Sequence, residues 1–365
     1  MNTLTRRRII IIGAGLSGLY AATQLSKTDD ILILEARNRV GGRILSPAMG
    51  KQEDSKVDMG PAWLWPQLQP RMAQLIQKLG LPIFKQFTQG SMLYENPQGQ
   101  IQTHGGPSSH GESYRLAGGT IALINALKHQ LDASAIQLNT KVTDINTASL
   151  TISAAHNGKI KHYSADKIIL ALPLRLLANN IHFTPEQPTE LITGWNNTST
   201  WMASHCKAVF IYDSAFWREQ QFSGEAFSHR GPMTEIYDGS PLGEEFYALT
   251  SFIGLNADQR QRLGEQNLLK ACEAQLVRLF GPQAAASTQR IIEDWSEQPF
   301  TAHQLDINTP AQHPHYDERA PRHLGSGNII LAGTETAIEH GGYLEGALES
   351  AELAIELISN SQSLL

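Results

Sequence analysis

The stretch Arg8-Ile9-Ile10-Ile11-Ile12-Gly13-Ala14-Gly15-Leu16-Ser17-Gly18 constrains this chain more than any other part of it. A β-branched run leading straight into Gly-x-Gly-x-x-Gly reads as a buried parallel strand, a tight turn and a helix whose first backbone N–H groups face a pyrophosphate. Gly13, Gly15 and Gly18 are the glycines of that turn, with Ser17 among them. A second strand, Ile31-Leu32-Ile33-Leu34, runs into Glu35-Ala36-Arg37. An acidic side chain at this distance from the glycines accepts hydrogen bonds from a ribose diol, and its charge disfavours a 2′-phosphate. The expected ligand is therefore FAD or NAD rather than NADP.

Arg39-Val40-Gly41-Gly42-Arg43 separates the two. Paired glycines let the backbone come close to a bulky cofactor, and Arg43 brings a planar cation with several donors for phosphate or for the flavin end. With strand, glycine loop, helix, strand, Glu35 and Gly42-Arg43 in this order, the chain resembles the flavin-containing amine oxidase family. That family belongs to the two-domain flavoproteins that also include carotenoid desaturases and protoporphyrinogen oxidases. The resemblance implies an α/β fold, a Rossmann-like FAD-binding domain with an interleaved β-rich α+β substrate domain. Residues 1–82, 116–196 and 298–365 are assigned to the first domain, and 83–115 and 197–297 to the second.

Composition agrees with two joined domains, since 365 residues exceed one typical domain. The 41% hydrophobic and 18% charged content describes an ordinary globule. No apolar run reaches the about 18 to 20 residues that span a bilayer, so no membrane partner is expected. Arg6-Arg7-Arg8 before the isoleucines resembles a secretory or twin-arginine signal. The phosphate-loop glycines cut that apolar run short, and cleavage there would destroy the nucleotide site. Cys206 and Cys272 alone make no disulfide framework, and no His/Cys cluster has metal-ligand spacing, which points to a cytoplasmic protein without a metal. A net charge of −6 without a basic block argues against nucleic acid.

Further along, Val57-Asp58-Met59-Gly60-Pro61-Ala62-Trp63-Leu64-Trp65-Pro66 would hold Gly60, Pro61 and Ala62 against a planar ligand. By the resemblance this segment passes the flavin, and Trp63 contributes an aromatic to the substrate cavity. Helical spacing of Met72, Leu75, Ile76 and Leu79 stops at Gly80. From Pro82 to Glu112 the chain is turn-rich around Gly105-Gly106-Pro107-Ser108-Ser109. The family places a longer, partly helical lid here, so the resemblance implies a less covered site unless a second subunit, as in a homodimer, closes it. A helix is expected from Leu116-Ala117-Gly118-Gly119-Thr120 through Ile121, Ile124, Leu127 and Leu131. Val142 matches the residue whose backbone meets the adenine. Asn328-Ile329-Ile330-Leu331-Ala332-Gly333-Thr334-Glu335-Thr336 reads as a strand and glycine turn, with Gly333, Thr334 and Glu335 toward the cofactor.

Lys207 precedes Trp217 by ten residues on an apolar strand, the spacing of the family's lysine that holds a water against the flavin. A buried ammonium is costly, and a position near the flavin would let it offer charge to reduced oxygen. Tyr343, in Gly341-Gly342-Tyr343-Leu344-Glu345, matches a tyrosine that forms one wall of an aromatic cage, with Leu344 meeting the flavin through its backbone and Gly342 beside it. The facing wall is expected from Trp295 through Leu305. Leu305 takes the place of the second cage tyrosine and Gln304 that of the cysteine some members attach to the flavin. Both depart from the family, so non-covalent FAD and a half-built cage are expected. His205, His303 and His340 are read as structural or cavity-lining, and Arg230 as the one candidate for a substrate carboxylate. The activity implied is oxidation of a primary or secondary amine, with oxygen reduced to hydrogen peroxide. A flavin-dependent desaturase or dehydrogenase acting on an apolar carbon skeleton, and a non-catalytic flavin-binding module, are the alternatives.

Overall fold

The computed structural model describes residues 8–49, 55–106, 108–243, 245–307, 313–317 and 320–360; Arg6, Arg7 and Pro107 lie outside the described residues. Arg8–Ile12 sits at the centre of a parallel sheet, with Ile10 opposite Leu32 of Asp30–Leu34 on one side and Ile168 of Lys167–Leu170 on the other. Ile329–Leu331 and Ile136–Gln137 extend it in parallel, and His323–Leu324 closes one edge antiparallel. Side chains alternate along a strand, so Ile9 and Ile11 face one way and Ile10 and Ile12 the other. The first face packs on helices Leu16–Leu25, Ile121–Lys128 and Leu344–Asn360 through Leu19, Leu123, Leu348 and their neighbours. Against the second lies a four-stranded sheet that brings in Val142, Ile145, Ile152 and Ala154. Cover on both faces is why the central run carries no polar residue.

A seven-stranded sheet runs in the order Gln289–Asp294, Cys206–Tyr212, Tyr247–Ile253, Met233–Asp238, Phe222–Ser228, Ser91–Glu95, Ile101–His104. On Cys206–Tyr212 the even-numbered residues pack toward helix Glu265–Phe280, with Ala208 and Phe210 in one core with Cys272 and Leu276. The odd-numbered Val209 and Ile211 pack with Val57 and Met59, the stretch that follows the Gly-Gly-Arg loop. Lys207 shares their parity and is carried to the same side.

Two local expectations change. The turn-rich segment 82–112 also holds strands, Ile83–Lys85, Ser91–Glu95 and Ile101–His104, the last two paired as an antiparallel hairpin at the edge of the large sheet. The helix expected from Leu116 starts only at Ile121, because Tyr114–Leu116 is a strand and Gly118 and Gly119 both take left-handed backbone. Among the described residues no helix is long and apolar enough to cross a membrane, and no group of three or more His, Cys, Asp or Glu is placed to hold a metal ion.

Candidate active site

The three motif glycines answer to three different constraints. Gly13 has φ +103°, and a Cβ there would lie 2.5 Å from the Ala171 carbonyl oxygen. At Gly18 a Cβ would overlap the Gly13 carbonyl, so the helix can approach the turn only without a side chain. Nothing lies within 4 Å of a Cβ added at Gly15, which opens into a large cleft. That cleft contains about 1940 Å³ of empty space, open solvent included. It runs from Glu35 and Val142 past Arg43 and Gly60 to Lys207 and Tyr343. Of the expected cofactor residues, Gly18 alone does not line it; its role is the helix–turn contact just described.

Glu35 is buried, with one carboxylate oxygen accepting from the Ala14 N–H (2.7 Å) and the other from the Arg37 N–H (2.8 Å). The side chain is thus clamped at the cleft wall while each oxygen keeps a further lone pair. Ser17 spends its hydroxyl proton on the Ala332 carbonyl (2.5 Å) and so ties the first helix to the strand before Gly333. Arg37 turns away from phosphate chemistry: it donates to Thr301 Oγ1 (2.7 Å) and the Phe300 carbonyl (3.2 Å), and burial pushes its pKa down to about 10. Arg43 pairs with the buried Glu335, Nη2 to Oε1 2.6 Å, and joins the Gly-Gly-Arg loop to the Gly333-Thr334-Glu335 turn. Glu335 Oε2 is buried without a hydrogen-bond partner on the cleft wall. An orphaned buried oxygen and a glycine facing open space fit a large polar ligand such as FAD. Glu35, Gly15, Arg43, Glu335, Val142 and Leu344 would hold it.

At the other end Lys207 is 3% exposed, and its Nζ donates to the Gly60 carbonyl (2.6 Å). The ammonium lies 4.9 Å from the Phe252 ring centre and 5.4 Å from that of Trp63, within cation–π range. Burial lowers its pKa to about 8, with Asp58 opposing the shift and Arg115 adding to it. Trp63 is fixed by its indole N–H donating to Gln86 Oε1 (2.8 Å), and Trp295 by donating to the Met59 carbonyl (3.0 Å). His205, also on the wall, is pushed down to about 4 by burial and then by Arg260 and Lys207, so it stays neutral at physiological pH.

Leu305 is the clear correction. It is 48% exposed and absent from the cleft wall, which ends in this segment at Phe300 and Thr301. The neighbouring Asp306 is buried, accepting from Arg175 Nη1 (2.5 Å), the Thr200 N–H (2.9 Å) and the His303 N–H (2.9 Å). That anchor winds Gln304–Ile307 into one helical turn and points Leu305 and Gln304 outward. Arg230 is also exposed and outside the cleft, its guanidinium lying at Gly99, which removes it as a carboxylate clamp. His340 lies 3.8 Å from Glu349, also off the wall. Sequence reasoning missed Trp201, Met202 and Phe252 on the wall. Phe252 was reachable through strand pairing, since it sits opposite Lys207 in register. Trp201 and Met202 lie in a loop with no periodic signal.

The family model described as flavin containing amine oxidoreductase matches residues 16–105 and 97–358, and the chain belongs to that family. Membership brings a flavin cofactor and amine oxidation as the general chemistry. The chain is 26% identical to the probable flavin-containing monoamine oxidase A of Dictyostelium discoideum, across 94% of this chain and 95% of that one. It is 23% identical to the flavin-containing amine oxidase A of Equus caballus, across 97% and 85%. The fold matches wild-type putrescine oxidase bound to putrescine with a TM-score of 0.79 at 20% identity, covering 97% and 99% of the two chains. It also matches cyclohexylamine oxidase from Brevibacterium oxydans IH-35A, with a TM-score of 0.81 at 18% identity, covering 98% and 100%.

Proposed function

We propose that this chain binds FAD non-covalently and oxidises a small primary or secondary amine. In the primary case the amine, oxygen and water give an aldehyde, ammonia and hydrogen peroxide. Bound FAD supplies the two-electron acceptor that amino-acid side chains lack. The observation that carries the reading is Lys207, an ammonium held in an apolar cleft wall by the Gly60 carbonyl between two aromatic rings.

A lysine so placed can offer a proton on Nζ to a water or to reduced oxygen while one N–H stays donated to the Gly60 carbonyl. With its pKa lowered to about 8, it passes between charged and neutral forms close to working pH. Trp63, Phe252, Trp295 and Trp201 line the same end and keep bulk water from the reacting carbon. Apolar walls favour the neutral amine, the form with a free lone pair, over its ammonium. Tyr343 offers a ring face at the same end of the cleft to orient that lone pair. Neutral His205 adds no second charge beside Lys207. The reading includes a cytoplasmic location, supported by two buried, unpaired cysteines.

The test is peroxide release by FAD-loaded protein on a panel of alkyl and aryl amines, run beside apolar alkenes and saturated ketones as desaturase substrates. Amine-dependent peroxide is expected. Dehydrogenation of a carbon skeleton without any amine turnover would replace this reading with the desaturase one, and a protein inert to both would be a flavin-binding module.

A further inference from the structure

Lys207 is not the one polar side chain at its end of the cleft: His205 lines the same wall two residues earlier. The His205 N–H donates to the Met202 carbonyl (3.1 Å), and its carbonyl accepts from the Trp295 N–H (3.0 Å). The second bond continues the pairing of Cys206–Tyr212 with Gln289–Asp294 by one residue, so strand alternation turns His205 to the side of Lys207. Its ring stands edge-on to Trp201, with centroids 5.3 Å apart at 67°, and to Phe252, 6.4 Å apart at 84°. Phe252 also carries the Lys207 ammonium on its ring, and the three side chains form one piece of wall. Nδ1 of His205 is buried without a hydrogen-bond partner among the described residues. A buried polar atom left unpaired is costly, and in a cleft wall a bound molecule is what can pair it.

From this orphaned ring in the wall we infer that His205 pairs with a hydroxyl group carried by the amine substrate, so that hydroxyl-bearing amines are preferred over plain alkylamines. The inference deepens the amine-oxidising reading above and rests on it. Glu35, Gly15, Arg43 and Glu335, which fit the cofactor, lie on or beside the parallel sheet, whereas His205 leads into a strand of the seven-stranded sheet with Lys207. The imidazole is neutral at physiological pH, because burial, Arg260 and Lys207 all disfavour its charged form. A neutral ring has one nitrogen that donates and one that accepts, and a hydroxyl can answer either. A second ammonium on the substrate would lie beside the Lys207 charge and be repelled. Arg260 does not supply a carboxylate clamp, since its Nε and Nη2 already donate to Asp294 (2.5 and 2.7 Å). A carboxylate also gives up more on leaving water than one uncharged imidazole repays, while a hydroxyl gives up far less.

Two variants test this beside the FAD-loaded parent: His205→Phe, which keeps a flat ring and removes both nitrogens, and His205→Asn, which keeps a donor and an acceptor. The substrates are butylamine, 4-aminobutan-1-ol, 1,4-diaminobutane and 5-aminopentanoate, with three- to six-carbon amino alcohols and their matching alkylamines added to vary the reach of the hydroxyl. In the parent the best amino alcohol should exceed its alkylamine by about tenfold in kcat/KM, the scale of one hydrogen bond. His205→Phe should lose that ratio while its turnover of the alkylamine stays near parental, and His205→Asn should restore part of it. A ratio that survives in His205→Phe overturns the inference, as does a parent that prefers the diamine or the amino acid. Weaker FAD binding by His205→Phe, with every amine slowed alike, would assign His205 to the cofactor and overturn it too. If the parent oxidises no amine at all, the amine reading falls, and anaerobic titration of the same ligands, followed by flavin absorbance, decides for His205 separately. Tighter binding of the amino alcohol than of the alkylamine in the parent but not in His205→Phe would still assign the hydroxyl to His205; equal binding would not.

Discussion

At the scale of single residues, the proposed chemistry rests on two side chains of one cleft, for opposite reasons. In that proposal Lys207 would act through charge in a place that penalises charge, and Tyr343 through a ring face that stays partly in solvent, 42% exposed. Lys207→Met is expected to slow reoxidation of the pre-reduced enzyme by oxygen more than it slows anaerobic reduction by amine. Stopped-flow traces with unchanged reoxidation would take Lys207 out of the mechanism. The pH sign follows from burial. Lys207 is an ammonium below about 8 and a neutral amine above, so reoxidation of the parent should fall as pH rises through that value, and the step should vanish in Lys207→Met. For Tyr343, the phenylalanine variant keeps the π surface and should keep most activity. Tyr343→Leu should lose about two- to tenfold in kcat/KM, matching the about 0.5–1.5 kcal/mol of a ring contact. A leucine variant as active as the parent would count for the desaturase reading.

At the scale of elements, the glycine turn shows how one motif carries separable duties. Gly15→Ala adds a methyl to open cleft space, so the protein should fold with near-parental Tm in the absence of FAD yet bind FAD more weakly. Gly18→Ala drives a methyl into the Gly13 carbonyl and should lower the Tm of the apoprotein itself. Thermal melts with and without FAD separate the two; equal FAD affinity for Gly15→Ala and the parent would mean that the cofactor does not approach this turn. Besides the helix start at Ile121, sequence reasoning misplaced the single turn Gln304–Ile307. Spacing from Trp295, carried over from the family, puts Leu305 on the wall, and the buried Asp306 overturns that by drawing the backbone onto Arg175 and Thr200. A tyrosine put at 305 would therefore sit on the outer surface and rebuild no wall.

For the whole molecule, the cleft is assembled from both large sheets: the parallel sheet brings Gly13, Glu35 and Gly333, and the seven-stranded sheet brings Lys207 and Phe252. A ligand bridging them binds the folded chain only, so FAD at about one hundred times its Kd should add about 2.7 kcal/mol of stability. Gln304 has no thiol and lies exposed, so heat or denaturant should release all of the yellow colour. Flavin fluorescence that travels with the protein band on a denaturing gel would contradict non-covalent binding.

What the sequence determined by itself was whatever depends on short spacing. The phosphate turn, the acidic end of the second strand, the Gly-Gly-Arg loop and the burial of Lys207 follow from residues a few positions apart, where backbone geometry leaves little choice. The tertiary structure decided what depends on partners far away in the chain. Leu305 turns outward because Asp306 finds Arg175, 131 residues earlier in the chain. Trp201 and Met202 reach the cleft wall through a loop whose course no periodicity records. A cleft wall built from several loops is a property of how the layers pack, and local sequence pattern specifies each layer but not which side chains meet across the gap.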